Sequence, residues 1–216
     1  MEAYAPLFGF LGMCCVSVIN FTPIPGFLSL WKTRDLKMIP HTFFVLNNLN
    51  CVLWLSMGVS TGTMDVIKSN AIAVIFTTTY LMIYHLVKGD LLTFFPPYAA
   101  LMGSIFYGLV TYLNGEYITM LAGIVNTFMV VAPLEQLKHV FREKDSKYID
   151  MYIMSIALPC SFCWMMFGVC RNMWPMIIPN LIGTLSCTAM ITMYFAYRKG
   201  SEKPTEKQET KIGKKD

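Results

Sequence analysis

The chain has 216 residues, of which 55% are hydrophobic and 14% charged, against about 25% charge in an ordinary soluble domain. With a mean hydropathy of +0.51, it has too little polar surface to cover a core in water, which argues against a soluble globular protein. The net charge of +4 comes largely from short loops and the tail, so it points to a membrane surface and gives no reason to invoke nucleic acid.

In chain order, the stretches free of Asp, Glu, Lys and Arg run over residues 3–31, 38–64, 69–87, 91–115, 117–134, 151–170 and 172–197. Each is near or above the roughly 20 residues that a helix needs to cross the hydrocarbon, and each is too long and too apolar for a strand. Seven transmembrane helices are predicted. Glu2 stands where a signal peptide would carry positive charge, so the first is read as a retained helix. Lys32, Arg34, Lys37, Lys88, Lys138, Arg142, Lys144, Lys147 and the tail fall on one side, with little more than Lys68 and Arg171 on the other. The positive-inside rule then puts the N-terminus outside and the C-terminus in the cytosol. Residues 198–216 are polar, mixed in charge and free of aromatics, the composition of a disordered tail.

All seven cysteines lie within the apolar runs, and an odd number at such depth argues against a disulfide framework. Cys160 and Cys163 have the spacing of a redox or zinc pair, but without a second pair they read as small packing residues. Asn20-Phe21-Thr22 is a glycosylation sequon at the cytosolic end of the first helix, where modification is not expected.

A long-range self-similarity organises the chain. Pro23 and Pro133 are separated by 110 positions, and so are Lys32 and Arg142, Asp35 and Asp145, Lys37 and Lys147, Trp54 and Trp164, Gly58 and Gly168, Asn70 and Asn180, and Tyr84 and Tyr194. The sequence therefore contains two copies of a three-helix unit, residues 5–87 and 117–197. Three helices return a chain to the opposite face, yet both copies carry their basic first loop on the same side. One extra crossing, residues 91–115, corrects the orientation and has no partner in the repeat. The predicted fold is an all-α membrane protein of seven transmembrane helices, two parallel three-helix repeats joined by a linker helix in a 3+1+3 layout.

Over residues 5–197 these features resemble the SWEET sugar transporters of the MtN3/saliva type, a family with parallel repeats. The marks are PIPGFLSLWKTRDLKMIP, NNLNCVLWLSMG leading to Asn70, APLEQLKHVFREKDSKY, and WMMFG leading to IPNLIG. The resemblance implies a sugar carrier without a cofactor, in a fold whose members form oligomers, often trimers.

An unpaired amide in hydrocarbon costs several kcal/mol, so Asn70 and Asn180 must face protein, water or ligand. A two-fold relation lets them converge on one cavity and bond sugar hydroxyls, while interhelical bonding is the other common use of a membrane Asn. The resemblance favours the sugar site. Trp54 and Trp164 lie sixteen residues before each Asn, where an indole can take the C–H face of a pyranose or sit at the lipid interface. In the family, the first-repeat residue lining the site falls about three positions before the Trp, which here is Cys51.

Pro23, Pro40 and Pro133 interrupt helices near the cytosolic side and serve as hinges or as helix-end punctuation. The family's fourth proline is replaced by Asp150, so the gate and hinge set is Pro23, Pro40, Pro133 and Asp150. Asp150 and Glu135 read as solvated carboxylates beside Lys147 and Lys138, with proton coupling as the sharper alternative. His41, His85 and His139 fall at cytosolic helix ends without metal-site spacing.

No metal site, nucleophile elbow, phosphate loop or metalloprotease helix is present in the sequence, and nothing in it supports an enzyme. The expected function is facilitated, bidirectional transport of a mono- or disaccharide by alternating access, with the plasma membrane as the expected location. A proton-coupled heptahelical carrier of cystine or cationic amino acids would carry Pro-Gln pairs, but the segments read Pro23-Ile24 and Pro133-Leu134. A seven-helix receptor would lack the tandem repeat.

Overall fold

The computed structural model describes residues 1–131, 140–144, 146 and 149–197. Pro133, Glu135, Lys138, His139, Lys147 and the tail 198–216 lie outside the described residues.

The described chain is helical apart from its turns. Helices α1 (Ala5–Phe21) and α2 (Ile24–Thr33) make the first crossing, followed by α3 (His41–Thr61), α4 (Met64–Lys88), α5 (Leu91–Tyr112), α6 (Gly115–Val131), α7 (Met151–Cys170) and α8 (Trp174–Tyr197). Pro23 has no N–H to donate, which separates α1 from α2. Thr22 turns back there, its N–H and its hydroxyl donating to Ile19 O at 3.0 and 2.8 Å. Of the two readings given to Pro40, its place is that of helix-end punctuation: it does not interrupt a helix but stands just ahead of α3, with φ −74°. Asp150 occupies the matching place before α7 with φ −81°, and its Oδ1 accepts from the N–H groups of Tyr152 and Ile153 at 2.9 and 3.2 Å. It is a helix cap.

Helix packing carries the symmetry. In the first repeat α4 lies between α1 and α3, and in the second α8 lies between α6 and α7. The repeats meet twice, α1 on α7 and α3 on α6, and these two contacts exchange under the repeat relation. Among the described residues, helix α5 packs chiefly on α3 and α4, so the linker belongs spatially to the first repeat. Where α6 meets the start of α8, a methyl on Gly123 would stand 2.5 Å from Pro175 O, so only glycine permits that approach.

The helix directions define two ends. The basic end carries Lys32, Arg34, Lys37 and Lys88, and the opposite end holds the α3–α4 and α7–α8 turns. One apolar cluster from both repeats closes the opposite end, with Ala5, Met57, Ile118 and Phe167 each 0% exposed. Met57 and Phe167 are repeat partners. At the basic end the described residues form separate clusters, Phe27, Leu30, Phe44 and Tyr80 in the first repeat and Val140, Ile149 and Met190 in the second. Among the described residues, buried apolar packing therefore joins the two repeats at the opposite end.

Candidate functional site

Between the repeats lies a cavity of about 200 Å³, room for a small solute and not just one water. Repeat partners line it together: Val16 and Asn126, Trp54 and Trp164, Val66 and Met176, Asn70 and Asn180. The pseudo-two-fold axis therefore passes through this space. Among the described residues, no Asp, Glu, Lys or Arg contributes to the wall.

Asn70 and Asn180 are each the seventh residue of their helix, α4 and α8. At 1.5 Å per residue this puts them about 9 Å from the helix start, in the outer third of each helix. Each carboxamide donates Nδ2–H to the carbonyl four residues back, Asn70 to Val66 O at 2.9 Å and Asn180 to Met176 O at 2.8 Å. The bonds are intrahelical, so neither is the interhelical tie considered from the sequence. One amide has two N–H donors and a carbonyl acceptor, so each side chain keeps hydrogen-bonding capacity for a solute.

Trp54 and Trp164 are 5% and 9% exposed, which removes them from the lipid interface. Trp31 and Trp174, near helix ends, are the exposed indoles. Cys51 also lines the cavity, with its thiol 4.0 Å from Asn47 Oδ1. Pro23, Pro40 and Asp150 stand at the basic end and do not line the cavity.

Four further amides that sequence reasoning missed belong to the wall: Asn20, Asn47, Asn50 and Asn126. Three of the four come from the first repeat, so the cavity is richer in amides on that side. Asn20 Nδ2 and Asn50 Oδ1 are buried without a hydrogen-bond partner among the described residues. A buried donor and a buried acceptor left open on one wall are the condition under which a hydroxyl-bearing ligand, both donor and acceptor, is bound favourably. Asn48, on the same helix, faces elsewhere. It receives the Tyr98 hydroxyl at 2.7 Å and donates to Thr77 Oγ1 at 2.8 Å, joining α3, α4 and α5.

The family model described as "Sugar efflux transporter for intercellular exchange" (MtN3_slv) matches this chain twice, over residues 6–90 and 116–202. The bidirectional sugar transporter SWEET4 of Oryza sativa subsp. indica is 25% identical over 217 residues, covering 94% of this chain and 83% of the relative. The bidirectional sugar transporter SWEET5 of Arabidopsis thaliana is 24% identical, covering 85% and 83%. The sugar transporter SWEET1 of Drosophila pseudoobscura pseudoobscura is 24% identical, covering 77% and 76%. Among solved structures, a eukaryotic SWEET transporter superposes with a TM-score of 0.81 at 15% identity, covering 92% of this chain and 98% of its own.

Proposed function

This chain belongs to the MtN3/saliva (SWEET) family of sugar transporters, and we propose that it carries a mono- or disaccharide down its gradient in either direction, by alternating access around the Asn70–Asn180 cavity. The observation that carries this reading is a cavity on the repeat axis whose described wall is rich in amides and carries no charged side chain. A sugar is a neutral polyol whose hydroxyls both donate and accept, which matches carboxamides. A zwitterionic or cationic amino acid would leave a charge in that wall without a counterion. Asn70 and Asn180 would bind hydroxyls, Trp54 and Trp164 would pack on the ring's apolar face, and Cys51 would leave space beside them. Each hydrogen bond exchanged against water is worth only about 0.5–1.5 kcal/mol net, so binding is weak and release fast.

The apolar cluster that joins both repeats at the outer end would serve as the outer closure in one half of a transport cycle. The positive-inside rule assigns the basic end to the cytosol and the N-terminus to the outside, and intercellular exchange favours the plasma membrane. Rocking of the repeats would break the outer cluster and close the basic end, with the Pro23 break and Pro133 as bending points. Asp150 enters this scheme as a helix cap, and the described residues of the cavity wall include no carboxylate to carry a proton, which supports the uniport reading.

The test is uptake of labelled glucose, fructose, galactose and sucrose by transporter-deficient cells expressing this chain, with counterflow in liposomes. Saturable counterflow without a proton gradient supports uniport; accumulation driven by a proton gradient would refute it.

A further inference from the structure

At the basic end of the first repeat, four polar side chains form a chain across three helices. His41, first residue of α3, lies with its Nε2 2.9 Å from Nε2 of His85 near the end of α4. His85 Nδ1 is 2.7 Å from Oδ1 of Asp90, which opens α5, and Lys88 Nζ is 2.6 Å from the other oxygen, Oδ2. The His85 side chain is 2% exposed, and its ring stacks on Phe94 at 3.5 Å between centroids and 8° between planes.

The proton count follows from these contacts. Asp90 is held below the usual carboxylate range, first by the hydrogen bond from Lys88 and then by that from His85. An ionised carboxylate only accepts, so His85 Nδ1–H donates to it. A neutral His85 then presents a lone pair at Nε2, and His41 Nε2–H donates to it. One additional proton on the pair is tolerated, because a single N–H still lies between the two Nε2 atoms. A second makes both Nε2 atoms donors, which face each other without an acceptor. Full protonation of both rings therefore breaks the bond between them.

We propose that the Asp90–His85–His41 chain is a proton-sensitive latch that fastens the start of α3 to the α4–α5 corner, and that cytosolic acid releases it and slows sugar exchange. This rests on the transport reading above. The latch matters to the cavity because α3 carries Asn47, Asn50, Cys51 and Trp54, and α4 carries Asn70. Fastened, the two helices move as one wall. The other ionisable groups around the chain are Tyr84 of α4, whose ring lies 4.8 Å from His41, and Lys32 and Lys37, exposed on α2 and on the 3-10 turn Leu36–Met38 that pack against α4. The matching positions in the second repeat are Met151 and Phe195, so the device is built once.

The experiment is labelled-hexose counterflow in liposomes at equal internal and external pH between about 8 and 5, the window in which histidine charges. Wild type is expected to lose roughly threefold or more of its exchange across that window, whereas His41→Gln stays flat, since a carboxamide meets His85 as acceptor or donor in either protonation state. A flat wild-type profile, or an equal fall in His41→Gln, overturns the latch and leaves transport standing. Absence of exchange at every pH overturns the transport reading instead. In that case, or where His41→Gln does not fold, NMR titration of the wild-type ring Cε1–H signals decides the latch, with His139 as reference. Coupled steps at His41 and His85 sustain it, and two independent single steps overturn it.

Discussion

A methyl group built on Gly12 of α1 would stand 2.9 Å from Cε2 and 3.0 Å from Nε1 of Trp164 on α7. The indole that faces the cavity is thus braced against bare backbone of the other repeat. Ala122, the repeat partner of Gly12, is fully buried in the same apolar cluster as Trp54. Gly12→Val forces Trp164 toward the cavity, and overpacking of this kind costs about 1–3 kcal/mol. Uptake per folded molecule should fall with a lowered melting temperature in detergent. Unchanged uptake would mean that the Trp164 ring position is not coupled to transport.

The two amides give a paired prediction. Asn180→Ala leaves a sugar hydroxyl unpaired in a desolvated site, which costs roughly 1–3 kcal/mol, or about 5- to 150-fold in affinity. Asn70→Ala should lose a similar factor, because the two side chains share helix position, burial and hydrogen bonding. The check is sugar binding and uptake at matched expression. A large loss at one site and none at the other would place the sugar off the repeat axis.

The layout was legible because charges and prolines punctuate a chain otherwise nearly uniform in hydropathy, so the 110-residue offset stands out at Lys32, Asp35, Trp54 and Asn70. The full set of cavity amides was not. Asn47, Asn48 and Asn50 occupy successive faces of α3, a helix buried between α4, α5 and α6. With partners on several sides, hydrophobic periodicity no longer marks one face. Only packing reveals that Asn48 bonds Tyr98 and Thr77 while Asn47 and Asn50 face the cavity. Asn20 was masked by its sequon, and Asn126 by its partner Val16, since a repeat comparison finds what two copies share and passes over where they differ. One helix end was placed less well: the uncharged run begins at residue 38 while α3 begins at His41, a few residues that composition does not fix, whereas the run 151–170 coincides with α7.

Tyr80 holds both sides of the break in the first crossing. Its hydroxyl donates to the backbone carbonyl of Asn20, at the end of α1, and its ring stacks on Phe27 of α2 at 4.6 Å and 21°. Tyr80→Phe keeps the stack and removes a donor from a buried carbonyl, so stability should drop by about 1 kcal/mol. Tyr80→Leu loses the stack too and should drop further. Thermal unfolding in detergent separates the two, and equal losses would show that the hydroxyl contributes nothing.

Acid should weaken the α4–α5 corner in a defined direction. The folded-state pKa of Asp90 is lowered, by Lys88 first and His85 second. Its contribution to stability is therefore fully present above the unfolded aspartate value of about 3.9 and is lost as pH falls through the folded value. Melting temperature should be insensitive to this group at neutral pH and decline in the acid range. Lys88→Met should shift the decline to higher pH. An unchanged acid limb would show that Lys88 does not stabilise the ionised carboxylate.

Asp150 separates a local role from a gating one. It stands one residue before α7 as Pro40 stands before α3, with φ and ψ of −81° and 98° against −74° and 79°. A proline has φ near −65° within about 15°, so the backbone at position 150 nearly admits one. Asp150→Pro would give up two hydrogen bonds to the N–H groups of Tyr152 and Ile153, a cap worth about 0.5–2 kcal/mol, and would regain about 0.4–1 kcal/mol by restricting the unfolded chain. The two partly offset, so the net change should fall between a gain of about 0.5 and a loss of about 1.6 kcal/mol, with sugar exchange preserved. Asp150→Asn keeps an acceptor oxygen for the cap and should be silent in both stability and transport. If Asp150→Asn instead abolished exchange while the protein remained folded, the carboxylate would need a charge-dependent role that a helix cap does not provide, and uniport would have to yield to proton coupling.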